Sequence, residues 1–296
     1  MVSFFCFISL LILFLIIFCV LKSWYRNYKF SHQNYITDKT TVLITGGCMG
    51  IGHEVIKKLI SCYNCSIINI DVRRDLFPEL EKEFENSKKL KNIYGDLSQK
   101  NIVLADLLTL NDVDIQSIDI LINNAGIAYN YPLSKLTTEQ IKKTLYINLV
   151  SPLCFIKEII SHKSESKHLH IVTMASVLSH IIAKNSSDYV STKWGLYGFH
   201  ESVRAEYLGR KDLSFTIFCP YAVNTGMFPG FRNPIPFLFK IFNPEEIGRE
   251  IVKSIILKEK VVYFPFVAKF VCGLYHLLPC WFGDLLQYTI CKFYLI

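Results

Sequence analysis

The sequence predicts an α/β protein built on one doubly wound parallel sheet of about seven strands. Two observations carry this. Short β-branched apolar runs alternate with longer helical patterns along the chain, and the first run ends in a glycine-rich turn from which a helix starts at once. A third observation adds an amino-terminal membrane anchor helix: residues 4–21 contain no charge. A chain of 296 residues suits one such domain, because sheets covered on both faces grow past ~200 residues without dividing.

The anchor comes first in the chain. Phe4 to Leu21 is just long enough to span a hydrocarbon core, and Lys22, Arg26 and Lys29 follow it. A cleaved signal peptide would carry a basic start, a shorter apolar core and a small-residue cleavage site, and none is evident. Residues 1–30 therefore read as an uncleaved anchor with a basic flank, which puts the rest of the chain in the cytosol. A hairpin in one leaflet is the alternative.

The strands expected next are Thr41–Thr45, Ser66–Asp71, Asn92–Tyr94, Ile118–Ile122, Leu169–Met174, Phe215–Cys219 and Val261–Phe264. Helical patterns lie between them at His53–Ser61, Thr138–Ser161, Asp188–Gly209 and Pro244–Leu257. Such a sheet is buried on both faces and takes its ligand in the crevice beyond the carboxyl ends of the strands.

Hydrophobic residues are 51% of the chain and the mean hydropathy is +0.30, which points to lipid contact at some surface. The net charge of +7 is scattered, with small clusters at Lys88, Lys89 and Lys91 and at Lys22 to Lys29, so nucleic acid is excluded as the partner. Ten cysteines spread from Cys6 to Cys291 do not form a disulfide framework. Cys62 and Cys65 lack a second pair at zinc spacing, and no metal site is expected. Asn64-Cys65-Ser66 and Asn185-Ser186-Ser187 are glycosylation sequons, used only in a secretory lumen.

The first strand runs into Thr45-Gly46-Gly47-Cys48-Met49-Gly50-Ile51-Gly52. Glycines let the backbone approach a pyrophosphate, and the amides and positive dipole end of the new helix attract its charge. Asp71 closes the second strand nineteen residues after Gly52, where a carboxylate accepts hydrogen bonds from adenosine ribose hydroxyls and repels a 2'-phosphate. That favours NAD over NADP, although Arg73 and Arg74 follow closely and partly offset the repulsion.

Tyr189 and Lys193 stand at i and i+4 on one helix, on one face. A phenol titrates near 10, too high for a base at neutral pH, but a nearby ammonium and a cationic nicotinamide favour the phenolate. Ser176 ends the preceding strand thirteen residues before Tyr189, where its hydroxyl can hold a substrate oxygen during proton transfer.

With Asn123-Asn124-Ala125-Gly126 after the fourth strand and Asn148 in the long helix, these motifs resemble the short-chain dehydrogenase/reductase family across residues 39–265. The resemblance implies a Rossmann-like catalytic domain with Tyr189 as general acid/base, Ser176 orienting substrate, Lys193 on the nicotinamide ribose and Asn148 holding a water in a proton relay. It further implies a cofactor site of Gly46, Gly50, Ile51, Gly52, Asp71, Asp96, Asn124, Gly126, Tyr189, Lys193, Val223 and Thr225. By the same resemblance Asp96 should lie near the adenine, Asn124 and Gly126 beside the adenosine ribose, and Val223 and Thr225 against the nicotinamide carboxamide.

Within the family, Cys219-Pro220-Tyr221, Asn224 to Phe228 and Gly198 to Ser202 are most similar to membrane-bound retinol dehydrogenases and lipid-droplet 17-beta-hydroxysteroid dehydrogenases. Two departures are a compact Asp71 to Asp119 stretch and Thr192 where serine is commoner. The resemblance implies an alcohol/carbonyl oxidoreductase for a lipophilic substrate such as a retinoid or steroid, on the endoplasmic reticulum or lipid droplets, with a homodimer as a further expectation.

Met227, Phe228, Phe231, Pro234, Pro236, Phe237, Leu238 and Phe239 suggest an apolar lid over the substrate. The tail at 266–296 is rich in aromatic and aliphatic residues, yet Lys269, His276, Pro279 and Asp284 interrupt it too often for a second span. It reads as a membrane- or interface-associated segment. The competing readings are an NADPH-dependent keto-lipid or 3-ketoacyl reductase and a non-catalytic nucleotide-binding scaffold on a lipid surface.

Overall fold

The computed structural model describes residues 17, 18, 21, 23–33, 35–229, 233, 239–279, 281 and 283–285. Most of the expected anchor, Phe231, Pro234, Pro236, Phe237 and Leu238 of the expected lid, and residues 286–296 of the tail lie outside them. The chain divides into two compact units, Met1–Tyr35 and Ile36–Ile296.

In the first unit, residues 23–31 are helical. Trp24 and Tyr28 stack at i and i+4 with ring centroids 5.9 Å apart, and Tyr28 meets His32 at 4.4 Å. Trp24, Tyr25 and Tyr28 are exposed.

The second unit carries a seven-stranded, wholly parallel sheet in the order β3-β2-β1-β4-β5-β6-β7. The strands are β1 (Thr41–Thr45), β2 (Ser66–Asp71), β3 (Leu90–Tyr94), β4 (Ile120–Asn123), β5 (Leu169–Met174), β6 (Leu213–Pro220) and β7 (Val261–Phe264). Every residue of β4 and β5 is buried, since helices cover both faces, and these strands are mostly apolar, with Asn123, His170 and Thr173 as their buried polar members. The chain winds outward from β1 to β3, returns to β4 and winds on to β7. The crevice at the carboxyl ends of β1 and β4 is therefore the topological switch point, where such sheets bind ligands.

Helix α1 (Gly50–Tyr63) buries Val55, Ile56, Leu59 and Ile60 and ends at Asn64, whose left-handed backbone donates its N–H to the carbonyl of Ile60. The expected helix from Thr138 is interrupted. α4 (Thr138–Leu145) opens with a capping box between Thr137 and Gln140, passes into a π turn at Tyr146–Val150 and resumes as α5 (Ser151–His162). α6 (Ser187–Glu206) and α7 (Pro244–Ile256) lie within three residues of their expected ends, α7 opening with a capping box between Asn243 and Glu246.

Among the described residues three α-helices were not expected: α2 (Phe77–Glu83), α3 (Leu104–Thr109) and α8 (Val267–Leu277). The first two are too short to display a period. α8 buries only Ala268 and Cys272, two small residues, while Val267, Phe270, Leu274 and Leu277 are exposed. Among the described residues Thr138–His162 is long and apolar enough to cross a membrane, but Ile147, Phe155, Ile156 and Ile159 pack into the core with Leu121 and Ile171.

Candidate active site

Backbone geometry builds the first half of the site. Gly46 has φ 70°, and a Cβ there would lie 2.9 Å from the Cα of Ala125; a Cβ on Gly52 would lie 2.2 Å from the carbonyl oxygen of Gly46. Thr45 and Asn124 lock the turn to the end of β4. The Thr45 hydroxyl accepts from the amides of Asn124 and Ala125, each at 3.1 Å, and the Asn124 side chain donates to the carbonyls of Thr45 (3.0 Å) and Gly46 (2.9 Å).

Asp71 braces the other side: Oδ2 accepts from the amide of Cys48 at 2.9 Å and Oδ1 from that of Arg73 at 3.0 Å. The amides of Gly50, Ile51 and Gly52, in the first turn of α1, have no acceptor within the helix, and no acidic side chain sits in that turn. A cradle that any Cβ would fill, a helix amino end and a carboxylate at the tip of β2 fit the pyrophosphate and ribose of a dinucleotide.

Arg73 is turned away from that role. Its guanidinium forks onto Asp75, Nε to Oδ1 at 2.9 Å and Nη2 to Oδ2 at 2.7 Å, which raises the Arg73 pKa and lowers that of Asp75. Asp96 accepts from both the amide (2.9 Å) and the hydroxyl (2.7 Å) of Ser98, and its loop is tied to β2 by Gly95 N–H on the Asp71 carbonyl. Thr225 borders Gly50, where a Cβ would lie 3.4 Å from Thr225 Cγ2, and Val223 forms an isolated bridge with Phe242.

The second half of the site lies between β5 and α6. Tyr189 is 6% exposed, and Ser176 lies beside its phenol. Burial pushes its phenol up to about 12, against the smaller lowering effect of Ser176. The Ser176 hydroxyl also accepts from the amide of Leu178 at 3.1 Å. Lys193 is buried too, and desolvation brings its ammonium down to about 8. Its Nζ donates to the Met174 carbonyl at 2.8 Å and stands 5.5 Å from the centroid of the Tyr189 ring. Burial is thus the largest influence on the Tyr189 phenol, while the Lys193 ammonium is held by the Met174 carbonyl near the ring.

Gly126 joins the two halves, since a Cβ there would lie 3.5 Å from Asn148 Oδ1 and 3.8 Å from Lys193 Nζ. Asn148 sits on the π turn, fully buried; its amide engages the backbone of Ile127 and reaches Thr192 Oγ1 at 3.3 Å. One turn earlier, Thr144 donates to Asp188 at 2.8 Å. These two rungs tie α4 and its π turn to the helix bearing Tyr189 and Lys193. Thr144 and Asp188 escaped the sequence reading because partners 44 residues apart leave no local pattern.

Phe228 covers Tyr189 edge to face, centroids 5.4 Å apart at 89°. Asn130, left-handed at φ 58°, donates to the Met227 carbonyl at 3.0 Å and so ties the loop after β4 to the segment carrying Phe228. The described cysteines are free thiols, and Cys65, just before β2, is buried with its thiol pushed up to about 12.

The model of the short chain dehydrogenase family matches residues 40–234. Human estradiol 17-beta-dehydrogenase 11 is 26% identical over 273 residues, covering 91% of this chain and 89% of its own length. Mouse 17-beta-hydroxysteroid dehydrogenase 13 is 26% identical over 258 residues, covering 86% and 83%. An uncharacterized oxidoreductase of Saccharomyces cerevisiae, TDA5, is 28% identical over 243 residues, covering 81% and 71%. Among solved structures, a Sphingobium yanoikuyae short-chain dehydrogenase in complex with NADPH superposes with TM-score 0.66 at 20% identity, over 76% of this chain and 88% of that one. The angucycline C-6 ketoreductase LanV with bound NADP gives 0.67 at 18% identity, over 78% and 97%.

Proposed function

We propose, for a chain that belongs to the short chain dehydrogenase family and is a nicotinamide-dependent alcohol/carbonyl oxidoreductase, that it prefers NAD(H) and acts on a lipophilic alcohol such as a steroid, a retinoid or another lipid. The observation that carries the substrate class is the cover on Tyr189: the phenol meets the apolar ring of Phe228 at 5.4 Å, so a substrate oxygen that reaches it brings an apolar body into the same space. The names of the two steroid dehydrogenases point the same way.

The geometry supports the following roles. Ser176 orients the substrate oxygen beside Tyr189, and the Tyr189 hydroxyl takes the alcohol proton in oxidation or returns it in reduction. Lys193, held at Met174, supplies positive charge next to the phenol and a donor toward the nicotinamide ribose. Asn148 holds the Ile127 loop against this pair. Gly46, Gly50, Ile51, Gly52, Asp71, Asp96, Asn124, Gly126, Val223 and Thr225 hold the nucleotide. When bound, the nicotinamide accepts or supplies the hydride.

Asp71 and the committed Arg73 support NAD(H). Exposed Arg74 beside them supports the second reading, an NADPH-dependent keto-lipid or 3-ketoacyl reductase. Titrating NADH and NADPH into the detergent-purified full chain, and repeating with Asp71→Ala, separates the two. Tighter NADH binding that the substitution weakens is the expected result; tighter NADPH binding by the wild type sinks the NAD preference.

The same reading places the chain on a membrane of the endoplasmic reticulum or a lipid droplet, with residues 39–265 in the cytosol and residues 266–296 against the lipid. Its supports are the uncharged run at 4–21, the exposed aromatics Trp24, Tyr25 and Tyr28 just after it, and the exposed side chains of Phe270, Leu274, Leu277 and Trp281. A catalytic unit glycosylated at Asn64 or Asn185 in microsomes would contradict the cytosolic placement.

A further inference from the structure

We propose that Asn69 is a positioning residue that presets the glycine turn for the cofactor's pyrophosphate, acting from beneath the turn through the amide of Gly47. It rests on the nicotinamide nucleotide binding at Gly46–Gly52 and assigns a role to a side chain that supports the turn from the β2 side.

Asn69 is a polar residue in the middle of β2, between Ile68 and Ile70, and is wholly buried. A polar side chain there is costly unless its groups are matched, and they are. Oδ1 accepts the amide of Gly47 at 2.9 Å, and Nδ2 donates to Asn92 Oδ1 on β3 at 2.9 Å and faces Cys48 Sγ at 3.5 Å. Asn92 in turn donates to Glu81 Oε1 on α2 at 3.0 Å. The turn is thus tied across two strands to a helix on the edge of the sheet.

The fit is close. A Cβ on Gly47 would lie 2.4 Å from Asn69 Oδ1 and 2.4 Å from Ile56 Cδ1, so Asn69 and Ile56 form the floor on which the turn rests. The inner amides are taken in sequence: Gly46 by the Ile70 carbonyl at 2.9 Å, Gly47 by Asn69, and Cys48 by Asp71. With those three turned inward, the outward donors of the motif are the first-turn amides of α1, where an anion is best received. Asn69 supplies the middle of three restraints, and the only one of them made by a neutral side chain.

The test is nucleotide binding to the full chain in detergent, with NADH and ADP-ribose as probes, adenosine as the ligand without a pyrophosphate, and hydrogen exchange over residues 45–50. Loss of one hydrogen bond of this kind corresponds to about threefold to tenfold in affinity. Asn69→Leu is expected to weaken NADH and ADP-ribose by about that factor, to leave adenosine unchanged and to speed exchange at the turn. Equal weakening of all three ligands, or none, overturns the proposal.

If Asn69→Leu does not fold, Asn92→Leu at the half-buried sheet edge decides. It removes the support of Nδ2 while leaving Oδ1 on Gly47, so a smaller weakening confined to NADH and ADP-ribose supports the role, and unchanged binding overturns it. A wild type that binds no nicotinamide nucleotide overturns the cofactor site itself, and with it this proposal; normal wild-type binding isolates failure to Asn69.

Discussion

Asn148 closes a two-bond ring with the backbone of Ile127: its Nδ2 donates to the Ile127 carbonyl and its Oδ1 accepts the Ile127 amide, both at 2.8 Å. A side-chain amide here pairs with a main-chain residue as a neighbouring strand would. The π turn at Tyr146–Val150 aims it, consistent with the tendency of such turns to occur at functional sites.

Asn148→Ala is expected to destabilise the chain by about 1–3 kcal/mol, since two backbone groups of half-buried Ile127 lose their partners. Turnover should fall further than stability, because the loop they hold leads from Gly126. Urea unfolding beside initial rates checks this, and an unchanged midpoint would contradict the clamp.

Tyr189→Phe keeps the ring against Phe228 and removes only the hydroxyl, and with it the proton. Turnover should drop by about 10²–10⁴-fold, the usual range for general acid–base catalysis, with NADH binding within about twofold of wild type as an order-of-magnitude allowance. Full turnover in this variant would refute the role given to Tyr189.

Phe228→Ala opens the cover over Tyr189. Water then reaches the phenol, and its pKa moves down from about 12 toward the ordinary tyrosine value, so the alkaline rise in alcohol oxidation should shift to lower pH. KM should rise for a steroid or retinoid alcohol more than for a short-chain alcohol. Equal changes for both would remove Phe228 from the substrate's surroundings.

Lys193 gives a pH dependence of stability. Its pKa is about 8 in the folded chain against 10.5, so between those values the unfolded chain binds the extra proton. The Lys193 contribution to stability therefore rises as pH climbs from about 8 to 10.5 and loses that gain on the way down, by roughly 3 kcal/mol at most. The difference in Tm between wild type and Lys193→Met should therefore change with pH across that window, the wild type gaining on the variant as pH rises. A variant retaining the same rise would assign it to another group.

The sequence by itself determined the sheet, the glycine turn and the positions of Ser176, Tyr189 and Lys193. Buried parallel strands are written as local apolar runs, glycines mark the turn, and i, i+4 spacing places two side chains on one helix face. The tertiary structure alone decided that burial raises the phenol, that Arg73 is held by Asp75, and that Thr144 and Asn148 tie α4 and its π turn to α6 through Asp188 and Thr192. It also brought Phe228 onto Tyr189 and Asn69 under Gly47. Solvent exclusion and hydrogen bonds between distant residues depend on how the elements pack, and no periodicity along the chain records which side chains will share an interior.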